Sequence, residues 1–66
     1  MKKSTSITLD DVKACIGFPK GSLMYSSLAG MCECWFGIEN KKGATDEDAA
    51  NVALDKLGKK MLEMAH

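Results

Sequence analysis

The chain contains no arginine, and its single histidine is the last residue, His66. Nine lysines balance nine acidic residues, so the formal net charge is zero. Such a balance supplies no electrostatic footprint for a phosphate backbone or an anionic membrane. No apolar run approaches the roughly 18 residues that a membrane span needs. Lys2 and Lys3 are followed by no apolar segment of the kind that a secretory signal requires, and the protein is expected in the cytoplasm. There is no Gly-rich phosphate loop, and Ser4, Ser6, Ser22, Ser26 and Ser27 have no histidine to activate them apart from the terminal one. The composition therefore points to a non-enzyme with no cofactor and no metal.

What is present is a 66-residue chain. A chain of this size forms one domain and buries only about 60% of the surface that its unfolded form exposes. Residues 1–66 are read as a single small domain in which 1–6 are expected to be disordered. A small core is commonly supplemented by a second copy or a partner, so a homodimer is expected. Cys15, Cys32 and Cys34 are an odd number of cysteines, which argues for reduced thiols over a closed disulfide framework.

Two helices are legible. Thr45 stands ahead of Asp46, Glu47 and Asp48, a threonine N-cap with acids in the first turn. Ala50, Ala53, Leu54, Leu57, Met61 and Met64 then recur at steps of three and four, which predicts a helix from Asp46 to Ala65. Gly58 interrupts it and is read as a close backbone approach or a slight bend. A shorter helix is predicted after Thr8, with Asp10 and Asp11 in its first turn and Gly17 ending it. Between the two, residues 21–28 and 31–39 flank Ala29-Gly30, which reads as a β-hairpin turn. The expected class is α+β in the order α-β-β-α, a small antiparallel hairpin packed on the long C-terminal helix. A two-stranded sheet is thin, so a third strand around Ser4–Thr8 or a sheet continued across a dimer is expected to complete it.

The stretch Met31-Cys32-Glu33-Cys34-Trp35-Phe36-Gly37-Ile38 carries the candidate site. On a strand, Cys32, Cys34, Phe36 and Ile38 share one face and Met31, Glu33, Trp35 and Gly37 the other. The cysteines then pack as small hydrophobes in the core. Cys-x-Cys lacks the knuckle spacing of a zinc site, and mid-strand thiols among apolar neighbours lack the activation that redox chemistry requires. Trp35, Met31 and Glu33, with Leu23 and Tyr25 of the first strand, form the predicted partner-binding residues, because tryptophan and methionine are enriched in adaptable contact surfaces. The alternative is that the first helix covers Trp35.

The segment from Trp35-Phe36-Gly37 through Gly43-Ala44-Thr45 to Asp46–Leu57 resembles short phage-encoded sandwich-type accessory proteins. That resemblance implies stoichiometric binding that inhibits or redirects a host protein or complex, in the host cytoplasm. Double-stranded-RNA-binding domains end in a similar unit, but their helix begins with phosphate-gripping lysines where this chain has Asp46, Glu47 and Asp48. The first half, Ile7 to Leu23, resembles the helix-turn-helix of LacI-type repressors, with Gly17 at the turn and apolar matches at Val12, Ile16, Phe18 and Leu23. On that reading residues 20–27 are a recognition helix. Lys13 stands where the motif takes a small alanine, and Lys20 is the recognition segment's one cation, so nucleic acid is not the favoured partner.

Overall fold

The structure, a computed structural model, describes residues 7–64 and is built from three helices. They are α1 (Leu9–Ala14), α2 (Leu23–Lys41) and α3 (Asp46–Met64). No strand occurs among the described residues. The α+β expectation is therefore wrong: the protein is all-α, and the predicted hairpin over residues 21–39 is the central helix. The proposed third strand gains no support at Ile7 and Thr8, which are irregular, and its first part lies outside the described residues, as does the expected disorder of 1–6. With no strand to extend, continuation of a sheet across a dimer is also withdrawn.

The two helices legible in the sequence begin where their caps place them. Thr8 is extended, and its hydroxyl accepts from the Asp11 N–H (3.2 Å) while the Asp11 carboxylate accepts from the Thr8 N–H (3.0 Å). This is a complete capping box, with aspartate in place of the more usual glutamate. The Thr45 hydroxyl accepts from the Asp48 N–H (3.1 Å) at the start of α3. Asp46, Glu47 and Asp48 occupy the first turn there, complementing the positive end of the helix dipole.

The start of α2 rests on a cap that the hairpin reading passes over. Residues Pro19 to Ser22 form a turn in which the Ser22 N–H (2.9 Å) and its hydroxyl (2.7 Å) both donate to the Pro19 carbonyl. The same Ser22 oxygen accepts from the Tyr25 N–H (3.1 Å), satisfying one of the orphan donors of the new helix. From there Tyr25, Leu28, Ala29, Cys32, Trp35 and Phe36 fall at helical spacing toward the core cluster. Gly30, the supposed turn, sits within α2 on its exposed side without a positive φ. The turn is made at Gly43, with φ +103°. There the Gly43 N–H donates to Asn40 O (3.0 Å) and the Ala44 N–H to Glu39 O (3.1 Å). These two bonds are the Schellman pattern that satisfies the last carbonyls of a helix.

The reversal sends α3 back along α2, and the two make the most extensive helix contact, with α1 touching both. Leu28, Cys32, Leu57 and Val12 are the largest fully buried side chains. Ala50, Ala53 and Ile16 complete the buried cluster. Among the described residues no polar or charged side chain is buried. The alternation that pairs Cys34 with Cys32 fails on a helix: Cys32 is buried and Cys34 is exposed. Ile38, expected on the core face, is 44% exposed. A β-carbon added at Gly58 would meet no heavy atom of a neighbouring element within 4 Å, so its expected close approach to another backbone is absent.

A core below about 70–80 residues rarely supplies more than about 3–5 kcal/mol of net stability. Truncating a fully buried leucine costs about 2–5 kcal/mol. Leu28→Ala is therefore expected to abolish most of the cooperative unfolding transition followed by far-ultraviolet circular dichroism. A loss below about 1 kcal/mol in urea titration would contradict the central place given to Leu28.

Candidate functional site

On α2 each residue advances about 100° around the axis. Met24, Met31, Trp35 and Ile38 then fall within an arc of about 60°, at steps of seven, four and three residues. They form an apolar ridge along one flank of the helix. Met31 and Trp35 are half-buried and reach the edge of the core cluster, whereas Met24 and Ile38 are 38% and 44% exposed. No charged residue of α2 falls within this arc.

The other side of α2 faces α1. The Lys13 ammonium of α1 is paired with the Glu33 carboxylate of α2 by a hydrogen-bonded ion pair. Glu33 lies about 160° around the helix from Met31. The pair ties α1 to the flank opposite the ridge, so α1 does not cover the ridge. The hydrogen bond that Lys13 donates to Glu33 is the main cause that raises the Lys13 pKa above its ordinary 10.5, with burial working in the opposite direction. Because both side chains retain solvent contact, the pair contributes at most about 1 kcal/mol.

The five residues expected to bind a partner separate in space. Met31 and Trp35 stay together on the ridge, although helical spacing and not strand alternation unites them. Glu33 leaves their face and holds α1. Tyr25 is half-buried against the core cluster. Leu23, the first residue of α2, is 80% exposed and lies near the ridge's amino end, off its line. Met24 and Ile38 are absent from the sequence-predicted set. Their signal is the 24, 31, 35, 38 spacing, which becomes visible once residues 22–41 are read with a helical period.

The helix that the repressor resemblance requires over residues 20–27 is present from Leu23 onward. Residues 15–22 connect it to α1, a longer link than the three- or four-residue turn of that motif. Lys41, in its last turn, is the only lysine of α2. Among the described residues no group of three or more His, Cys, Asp or Glu side chains is placed to hold a metal ion. No described helix is long and apolar enough to cross a membrane.

The three thiols differ in environment. Burial raises the pKa of Cys32, opposed by the nearby Lys13 charge, while Cys15 and Cys34 are exposed. A raised pKa and lack of access both slow reaction of the thiolate. Native protein treated with iodoacetamide is expected to gain two adducts quickly, on Cys15 and Cys34, and a third only on denaturation, as read by peptide mass spectrometry. Equal rates at all three sites would contradict the packing of α2. Comparison with protein-family models, with curated proteins and with solved structures finds no match to this chain.

Proposed function

We propose that this protein acts without catalysis, by stoichiometric protein–protein contact through the α2 ridge of Met24, Met31, Trp35 and Ile38. The observation that carries this reading is a ridge in which the half-buried Trp35 lies between Met31 and the exposed Ile38, with Met24 beyond, in an arc of α2 that holds no charged residue of that helix. Tryptophan dominates binding hot spots, and methionine adapts its shape to irregular partners. Leu23 extends the apolar surface at the amino end of the helix. Glu33 and Tyr25 act indirectly, one by fixing α1 and the other by anchoring α2. The phage-type resemblance supports a host protein or complex as the partner. The small core supports a homodimer as the form in which the chain works. The ridge belongs to a binder that occupies or redirects its target.

DNA binding is the second reading, favoured by the one observation that residues 23–27 are helical. Its weakness is charge: Lys20 is the one cation in residues 15–22 that lead into that helix, and the helix's first turn holds no cation. Phosphate contacts dominate the affinity of DNA-binding proteins.

Met24→Lys and Ile38→Lys change exposed positions and are expected to leave the fold intact by circular dichroism. They are expected to shift a dimer to monomer in sedimentation and to weaken capture of any partner at least tenfold, because each places a charge in an apolar contact. Unchanged association and capture in the folded double variant would overturn the ridge as the binding surface. The same protein is expected to pass through a duplex-DNA column at low salt. Salt-sensitive retention that Lys20→Ala abolishes would replace this reading with the repressor-like one.

A further inference from the structure

A second surface lies away from the ridge, where the amino ends of α1 and α3 meet the far part of α2. It is an open cleft of about 390 Å³. It is lined by the apolar residues Ile7, Leu9 and Phe36 and by the polar residues Thr8, Asp10, Asp46 and Glu47. The volume lies near the lower end of the range for ligand pockets, about 300–1,000 Å³. It suits one or two side chains better than a large molecule. Ile7, Leu9 and Phe36 are each only half-buried, so the cleft presents apolar area to solvent.

The charge of the cleft selects what fills it. The acids stabilise the helix starts on which they sit, Asp10 on α1 and Asp46 with Glu47 on α3. Among the described residues the ion pairs are Lys13–Glu33, Lys42–Glu39, Lys59–Asp55 and Lys60–Glu63, and none involves these three acids. An apolar side chain on this floor therefore comes with three carboxylates beside it that have no lysine partner among the described residues. Asp10 feels the Lys13 charge at a distance, and none of the three is in a direct ion pair, so an ammonium or guanidinium supplies a contact that a neutral or acidic ligand does not.

We infer that this cleft binds a short basic segment of a partner protein, in which an apolar side chain packs on Ile7, Leu9 and Phe36 and a neighbouring lysine or arginine pairs with Asp10, Asp46 and Glu47. It is a second contact, independent of the α2 ridge. Each surface is tested by variants that leave the other untouched.

The test is an amide-resolved nuclear magnetic resonance titration of the full chain with acetyl-Lys-Leu-Lys-amide, using acetyl-Gln-Leu-Gln-amide as the uncharged control. The lysine peptide is expected to shift the amides of Ile7, Leu9, Phe36 and Glu47, with the control at least about threefold weaker. Added salt is expected to weaken the lysine peptide. The Asp10→Asn/Glu47→Gln variant, checked as folded from its own spectrum, is expected to weaken it about threefold or more. Equal response to both peptides, an unchanged affinity in the folded variant, or shifts confined to the ridge would each overturn the inference. No shift in the wild type, but shifts in Lys2→Gln/Lys3→Gln, would also overturn it, by identifying the chain's own amino-terminal lysines as the occupant.

Discussion

Everything in this small protein depends on the apolar seam between α2 and α3, the most extensive helix contact of the fold. α3 presents Ala49, Ala50, Ala53 and Leu57 at full burial, with Leu54, Met61 and Met64 partly buried against the core cluster. Leu28 and Cys32 of α2 belong to the same buried cluster as Ala50, Ala53 and Leu57 of α3. The seam contains no buried polar or charged side chain among the described residues. Apolar burial is therefore its source of stability, at about 25 cal/mol for each Å² removed from water. α1 adds Val12 and Ile16 to the same cluster and closes one side of it.

Closing one side leaves the other open, and this asymmetry generates both surfaces described above. The Lys13–Glu33 pair holds α1 on one flank of α2, and on the opposite flank Met31 and Trp35 are half-buried while Met24 and Ile38 are exposed. At the far end, the starts of α1 and α3 converge, and acids suited to each helix dipole gather around Phe36. Local capping rules acting on two separate helices thus produce a shared acidic cleft.

The two outer helices are legible because their starts are written in a few adjacent residues. Thr8 with Asp11, and Thr45 ahead of three acids, state their geometry within a single turn of chain. The central helix is misread for an equally specific reason. Cys32, Cys34, Phe36 and Ile38 alternate as a strand does, and Ala29-Gly30 looks like a hairpin turn. The competing pattern, Tyr25, Leu28, Ala29, Cys32 and Phe36, needs a window longer than either supposed strand. Glycine costs about 1 kcal/mol relative to alanine inside a helix, and tertiary packing at Leu28 and Cys32 offsets that cost. Residue type places Cys32 correctly in the core, and strand spacing places Cys34 there wrongly. Of the partner-binding set, Met31 and Trp35 stay on one face because their spacing of four suits a helix. Glu33 does not, because two residues along a helix turn a side chain away.

The Gly43 reversal has a consequence for the order in which the molecule assembles. Its hydrogen bonds join residues close in sequence, and they bring α3 back onto α2 after a loop of only residues 42–45. Closing so short a loop costs little chain entropy, and the main seam can form as a helical hairpin from neighbouring parts of the chain. α1 is joined by the longer connection of residues 15–22, and its contacts with α3 span most of the sequence. The topology therefore separates a local unit from a distant one: the α2–α3 hairpin is the piece with low contact order, and α1 is the piece whose docking completes the core.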